Sequence, residues 1–294
     1  MTTLFRWCAR LPLPFLQLVG GLLGWLSYWA SGTYRQRMHA NVAQAGLRWA
    51  QARAAVGSAG RMAAELPWLW LRPHDRPLGD LVRWENAELI EAALARGQGL
   101  VILTPHLGCF EVIGQAYAER YGASCPITAL YRPARKAWLS ELVAKSRQRP
   151  GFLTAPASLA GVRLMIRSLR KGDTVGLLPD QVPPDGMGVW APFFGRSAYT
   201  MTLASRLVQQ TGAAWVLAWS ERLPHGRGYV IRVSAPTETL PEDGDPAASA
   251  TVMNRAMEQL ILQCPGQYLW SYNRYKAPRT VETEAARPAA GGPN

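Results

Sequence analysis

One histidine in this chain has neighbours suited to proton transfer. His106 follows the apolar run 100–104 and precedes Glu111 by five positions. Residues five apart in one continuous helix lie about 140° apart around its axis, so the two side chains can meet only if His106 occupies a turn and Glu111 the first turn of a helix. A carboxylate on one imidazole nitrogen leaves the other free as a general base. The pattern is short, and a capping or core-facing histidine fits it equally well.

Two further features adjoin this motif. The N-terminus of a helix that starts here would favour the negative charge of an oxyanion. Cys109 lies three residues after His106, which raises the possibility of a thiol nucleophile. Nothing beyond the motif would activate that thiol, so we favour the histidine as the reactive group.

Short apolar runs alternate with helical patterns along most of the chain, and this alternation indicates an α/β fold. Ligands in open α/β sheets bind beyond the carboxyl ends of the strands, where His106 stands. The predicted strands span 100–104, 127–131, 174–178, 214–219 and 229–233. The predicted helices span 112–120, 137–147, 159–171, 201–211 and 248–264.

The N-terminal segment 11–30 contains no charged residue and is typical of a membrane anchor. A helix from Pro14 to Trp29 would rise about 24 Å, which is short for a hydrocarbon core of about 30 Å. A tilted span, a half-inserted helix, an interfacial anchor and a buried globular helix all remain open. Gly20 and Gly24 present a small face suited to close helix packing.

Composition narrows the functional classes. The chain is 48% hydrophobic and 18% charged, which excludes disorder of the whole chain. Twenty-eight arginines and four lysines face 20 acidic residues, for a net charge of +12. Nucleic acid, anionic lipid, an acidic protein or no specific partner would each suit that charge. Four cysteines without zinc-ligand spacing lead us to expect neither a metal nor a disulfide framework.

Five blocks in this order resemble the bacterial late lipid A acyltransferases, the lauroyl and myristoyl transferases, within the glycerolipid acyltransferase superfamily with its His-x4-Asp/Glu motif. The resemblance extends from the apolar segment to about Pro278. The matching blocks are Thr-Pro-His-Leu-Gly-Cys-Phe-Glu at 104–111, Tyr-Arg-Pro at 131–133, Gly-Leu-Leu-Pro-Asp-Gln at 176–181, Pro-Phe-Phe-Gly-Arg at 192–196 with Thr200, and Trp-Ser-Tyr-Asn-Arg-Tyr-Lys at 270–276.

The resemblance implies an O-acyltransferase in which His106 takes a proton from an acceptor hydroxyl and Glu111 orients the histidine. The hydroxyl attacks an acyl thioester without an acyl-enzyme, a metal or a cofactor. The implied donor is acyl carrier protein, and the implied acceptor is a 3-hydroxyacyl chain on a phosphorylated glucosamine disaccharide. The implied fold is a mixed, largely parallel sheet flanked by helices, with an N-terminal membrane-anchoring helix.

Arginines in the matching blocks and near them are candidates for binding the acceptor phosphate. Arg132 follows a strand and would lie level with His106, whereas Arg147 and Arg274 are weaker candidates. For each of them, an exposed arginine with no ligand is the competing interpretation.

Other side chains of the matching blocks are candidates for the acceptor sugar and the acyl chain. Asp180 and Gln181 end a strand at the same sheet edge as His106, where they would hold the loop or contact the sugar. Phe193 and Phe194 would suit the wall of an acyl channel, although aromatic pairs are more often core.

We therefore expect a membrane anchor at 1–34, an acyltransferase domain at 35–277 and a disordered tail at 278–294. The expected location is the cytoplasmic face of a bacterial inner membrane, with the bilayer, acyl carrier protein and an anionic glycolipid as partners and no nucleic acid. One alternative is an acyl-CoA-dependent enzyme for another lysolipid or glycolipid. A second is a non-enzymatic, arginine-rich protein that binds membrane or nucleic acid.

Overall fold

The computed structural model describes residues 2–131 and 149–279. Its helices are α1 Thr2–Cys8, α2 Leu13–Ala30, α3 Gly32–Gln44, α4 Trp49–Ala52, α5 Ala55–Trp70, α6 Glu88–Ala95, α7 Phe110–Tyr121, α8 Leu159–Arg170, α9 Leu203–Thr211 and α10 Pro246–Gln263. Its strands are β1 Val82–Glu85, β2 Leu100–Leu103, β3 Ile127–Tyr131, β4 Phe152–Pro156, β5 Thr174–Leu177, β6 Gly188–Phe193, β7 Arg196–Met201, β8 Ala214–Arg222 and β9 Tyr229–Ser234. Short 3₁₀ turns occupy Gly79–Leu81, Pro224–Gly226 and Pro265–Gln267.

Seven strands form one sheet in the order β1-β9-β8-β2-β5-β3-β4. Its neighbours pair in parallel except β8 and β9, which are antiparallel. The predicted mixed, largely parallel α/β sheet is therefore confirmed. All four residues of β2 are buried, as expected for a strand covered by helices on both faces.

The two sheet faces carry separate layers of core. One face packs against α6 and α7, where Ile102 and Tyr117 are buried. The other face packs against α8, α9 and α10, where Met165 and Met257 are buried. Each predicted strand and the predicted helices 112–120, 159–171, 201–211 and 248–264 occur within a few residues of their expected bounds. The predicted helix 137–147 and most of the predicted tail lie outside the described residues.

Helix α2 packs closely on α5 through glycines. A Cβ atom added at Gly60 would lie 2.0 Å from the Gly20 oxygen, and one added at Gly24 would lie 2.4 Å from the Val56 oxygen. The predicted small face of Gly20 and Gly24 is thus confirmed as the α5 contact. The opposite side of α2 exposes Phe15, Leu18, Leu22, Leu26 and Trp29.

Among the helices of the described residues, none combines the length and the hydropathy needed to cross a membrane. The predicted anchoring role of the N-terminal helix is therefore not confirmed by the fold. The domain boundary expected at residue 34 stays a prediction.

The α2–α5 contact generates a stability prediction. Gly60→Ala should lower the free energy of unfolding by about 1–3 kcal/mol, because the added methyl overlaps backbone that cannot move independently. Urea unfolding followed by circular dichroism measures the change. Gly32→Ala is the matched control, because no atom lies within 4 Å of its added Cβ. Equal stability of the two variants would contradict a close α2–α5 contact.

Candidate active site

The candidate site lies where β2 and β5, adjacent parallel strands, both end. The Thr104 amide still donates to the Leu177 oxygen at 3.1 Å, which holds the two strand ends level. His106 follows β2 by three residues and Asp180 follows β5 by three residues. Two loops that leave neighbouring parallel strands in this way bring their side chains into one crevice.

His106 is held at two points by Asp180. The imidazole Nδ1 lies 2.7 Å from Asp180 Oδ1, and the His106 backbone amide donates to Asp180 Oδ2 at 2.9 Å. Asp180 is buried, whereas the His106 side chain keeps 18% of its surface exposed. A carboxylate at Nδ1 makes that nitrogen the protonated one and leaves Nε2 as the basic position.

The surroundings of Asp180 keep its carboxyl ionised. Burial alone would raise the pKa of Asp180, but the charge of His106, the two hydrogen bonds from His106 and the charge of Arg274 hold that pKa below its usual value. Burial and then the charge of Asp180 raise the pKa of the Tyr268 phenol well above its usual value. A charged acceptor is thus maintained beside the imidazole.

Asp180 makes the contact at His106 Nδ1, and the orienting role predicted for Glu111 stays a prediction. Glu111 is the second residue of α7, and its Oε2 accepts a hydrogen bond from Trp70 Nε1 at 3.2 Å. It remains on the wall of the same cavity as His106. Asp180 lies 74 positions away from His106, so only the adjacency of β2 and β5 could have revealed the pair.

The turn between His106 and α7 requires a glycine. Gly108 has φ +63°, and a Cβ atom there would lie 1.8 Å from the Ser220 oxygen. The next amide, that of Cys109, donates to the same oxygen at 2.9 Å. Burial raises the pKa of the Cys109 thiol well above its usual value, so this cysteine is a packed thiol rather than a nucleophile.

A buried ion pair contacts the same turn and supports it. Arg222 Nε and Nη2 lie 2.7 and 2.8 Å from the two carboxylate oxygens of Glu65, and Nη2 also donates to the Gly108 oxygen at 3.1 Å. Gln17 of α2 donates to Glu65 Oε1 at 2.8 Å. The ion pair therefore connects α2, α5, β8 and the turn after His106.

An apolar cavity of about 810 Å³ opens beside His106. Its wall includes Trp70, Ile102, Phe110, Gly176 and Leu207. Such a cavity suits a long hydrocarbon chain with its reacting end at the histidine. Among the residues that the structure describes, no group of three or more His, Cys, Asp or Glu side chains could hold a metal ion.

Several predicted site residues lie elsewhere. Phe193 and Phe194 do not belong to the cavity wall: Phe194, with φ +46°, turns the β6–β7 hairpin, and its ring packs 6.0 Å from that of Trp270. The tight two-residue turn directs both rings into the core, so their predicted place in an acyl channel is not supported by the fold.

The position of the Arg274 side chain also does not support its predicted role in binding the acceptor phosphate. Its Nη1 donates to the Tyr199 oxygen and its Nη2 to Thr200 Oγ1, each at 2.7 Å, and the side chain is buried. Arg132 and Arg147 lie outside the described residues. Gln181 does lie on the cavity wall, where an exposed cation that sequence reasoning missed, Arg206 of α9, also lies.

The Arg222–Glu65 pair generates the second prediction. Glu65→Ala should lower the free energy of unfolding by about 3–5 kcal/mol, because it leaves a buried guanidinium without its counter-charge. Urea unfolding is again the measurement. Glu91→Ala is the control: it removes an exposed pair with Arg120 at 2.9 Å, which is worth about 0–1 kcal/mol. A similar small loss in both variants would show that the buried pair does not support the fold.

Comparison with known proteins shows which family this chain resembles along most of its length. The family model described as bacterial lipid A biosynthesis acyltransferase matches residues 2–277. The lipid A biosynthesis lauroyltransferase of Escherichia coli K12 is 27% identical over 221 residues, which cover 74% of this chain and 68% of that protein. The palmitoleoyltransferase of the same organism is 26% identical over 212 residues, covering 72% and 66%.

A relative with a different acceptor also matches. The phosphatidylinositol mannoside acyltransferase of Mycobacterium tuberculosis CDC 1551 is 27% identical over 203 residues, which cover 67% of this chain and 59% of that protein. The matched regions thus span about two thirds of the length of these curated relatives. Because the family model covers almost all of the described fold, the chain belongs to the bacterial lipid A biosynthesis acyltransferase family, a family of O-acyltransferases.

Proposed function

We propose that this protein transfers a fatty acyl chain from an acyl thioester to a hydroxyl group of a lipid A precursor, with His106 as the general base. One observation carries the proposal: His106, held at Nδ1 by a buried carboxylate 2.7 Å away, stands beside an apolar cavity of about 810 Å³. A base and a chain-sized cavity are the two requirements of acyl transfer that side chains can meet directly.

The reaction proceeds through one tetrahedral intermediate. His106 Nε2 takes the proton of the acceptor hydroxyl while the hydroxyl oxygen attacks the thioester carbonyl. Asp180 stabilises the imidazolium that forms. The carbonyl oxygen becomes an oxyanion beside the N-terminus of α7, whose dipole favours negative charge. Collapse expels the thiolate, which takes the proton from the imidazolium, and the ester remains on the acceptor.

The donor in this proposal is acyl carrier protein, and the acceptor is a phosphorylated glycolipid. The net charge of +12 favours both, since each is anionic. Arg206, exposed on the cavity wall, is positioned to meet a phosphate at the cavity entrance. An acyl-CoA donor with another glycolipid acceptor is the second candidate. The match to the mannoside acyltransferase favours the different acceptor.

The proposed location is the cytoplasmic face of a bacterial inner membrane. On α2 the exposed side chains Leu18, Leu22, Leu26 and Trp29 lie along one stripe, each more than half exposed. A contiguous exposed apolar surface of this kind marks a site of contact with a membrane or another protein. The close glycine contact with α5 leaves that stripe turned away from the fold, so the bilayer is its proposed partner.

The catalytic assignment is tested by two substitutions at the dyad. His106→Ala should abolish transfer, and Asp180→Asn should lower kcat by about 10²–10⁴ because the amide no longer stabilises the imidazolium. Purified enzyme is incubated with a tetra-acylated lipid A precursor and either lauroyl-acyl carrier protein or lauroyl-CoA. Product masses then report the gain of one acyl chain and the donor used.

Gln209→Ala serves as the control on α9, since the Gln209 side chain donates to the Pro241 oxygen away from the cavity wall. Wild-type rates from a folded His106→Ala protein would refute the general base. A gain of mass only with acyl-CoA would favour the second candidate.

Membrane binding gives a separate prediction. The double substitution Leu22→Asp with Leu26→Asp should weaken binding to phosphatidylglycerol vesicles about tenfold or more, because it removes two apolar side chains from the stripe and adds charge. Vesicle co-sedimentation measures the change. Leu262→Asp on α10, at a site that is 48% exposed, is the matched control. Equal binding by all three proteins would place the membrane contact elsewhere.

A further inference from the structure

The wall of the cavity beside His106 includes residues from both faces of the sheet. Side chains of alternate residues along a strand point to opposite faces, and the cavity wall includes both Gly176 and Leu177 of β5. We call the part between α7 and the sheet the α7 limb, bounded by Ile102, Gly114 and Gly176. The part along α8 and α9, bounded by Leu159, Leu203 and Arg206, is the α8–α9 limb.

Small residues open the α7 limb through the centre of the sheet. Ile102, Gly176 and Ala129 form one row across β2, β5 and β3. Gly176 and Ala129 keep partial exposure although β5 lies between two strands in the sheet. All three residues of this row belong to the cavity wall, so the space above the row is part of the α7 limb.

The next row closes that limb. Ile127 and Phe152 pair across β3 and β4, and both are buried. A Cβ atom at Gly114 would lie 2.8 Å from Phe152 Cζ, and one at Gly176 would lie 3.4 Å from Ile127 Cδ1. The phenyl ring and the isoleucine thus form an end wall. Its row lies four residues below Thr104 along β2, about 13 Å at the usual strand rise.

The two limbs differ in their access to water. The α8–α9 limb carries the exposed Arg206 and Gln210, and Leu159 on its wall is 76% exposed. The α7 limb is lined mainly by apolar residues, apart from Glu111 of α7, and is closed by the Phe152 ring. A free hydrocarbon tail gains most from an enclosed apolar space, whereas a lipid with a charged headgroup needs an open, polar entrance.

We propose that the α7 limb receives the acyl chain of the thioester donor and that Phe152, seated on Gly114 beside Ile127, limits the length of chain transferred. This inference rests on the proposed acyl transfer. A chain too long for the limb pushes its carbonyl carbon away from His106. The end wall therefore lowers the rate of transfer of long chains, because it misplaces their carbonyl carbon, in addition to weakening their binding.

The test compares acyl-chain profiles of variants that change the two limbs separately. Wild type, Phe152→Ala, Gly176→Val and Leu203→Ala are each assayed with acyl carrier protein thioesters of increasing even chain length. Phe152→Ala should move the preferred chain longer by about two to four methylenes, as the space freed by the ring is filled. Gly176→Val should move it shorter, with a loss of about tenfold or more for the wild-type chain.

Leu203→Ala enlarges the α8–α9 limb and should leave the chain profile unchanged. Thermal unfolding confirms that each variant is folded. Should Phe152→Ala fail to fold, Phe152→Leu provides the longer-chain arm and Gly176→Val the shorter one. Calorimetry with non-reactive alkyl-pantetheine thioethers gives the same ranking by binding, independent of turnover.

The possible outcomes distinguish failure of this inference from failure of the proposed acyl transfer. A wild-type enzyme that transfers no chain of any length refutes the proposed function. If the wild type is active and the folded Phe152 and Gly176 variants have the same chain-length profile as the wild type, the assignment of an end wall is overturned. A profile shifted by Leu203→Ala but not by Phe152→Ala places the donor chain in the α8–α9 limb and overturns the assignment of the limbs.

Discussion

The buried guanidinium of Arg222 is the constraint on which the rest of the structure depends. It meets both carboxylate oxygens of Glu65 and the backbone oxygen of Gly108, and Gln17 adds a hydrogen bond to the same carboxylate. Two charges removed from water are tolerated only when each is matched at close range. The helices α2 and α5 can therefore occupy no other register against the sheet. The same ion pair holds the turn that carries His106. The exposed face of α2 and the His106 side chain therefore keep a fixed position relative to each other.

The second constraint is the parallel pairing of β2 with β5. It places two loops side by side, so that His106 and Asp180 meet although 74 positions separate them. The pair also matters for stability. Because the pKa of Asp180 is lower in the fold than its usual value, its ionisation stabilises the protein at neutral pH, and that contribution is lost as the pH falls through the lowered value. The same interaction that orients the His106 imidazole thus contributes to folding.

The sequence predicted the features that depend on local pattern. Buried runs such as 100–103, the helix that begins near Glu111 and the small face of Gly20 and Gly24 all follow from periodicity, size and the positions of proline and glycine. Contacts across the fold were not accessible in this way. Glu111 was assigned to His106 because it is near in sequence, yet the sheet order brings Asp180 there. Phe193 and Phe194 looked like a channel wall, but the left-handed φ of Phe194 turns both rings into the core.

Arg274 shows that the contacts of a charged residue across the fold are equally hard to predict from the sequence. An arginine in a matched block suggests phosphate binding, but the structure places its guanidinium among the Tyr199 oxygen, Thr200 and Asn254. Its positive charge contributes to the lowered pKa of Asp180 and so favours the ionised carboxylate beside His106. The cavity has the opposite character: Gly176 and Ala129 place little or no side chain at the centre of the sheet, where a filled core would be more stable. In the proposed acyl transfer, this space beside His106 holds the donor chain, which enters and leaves in each turnover.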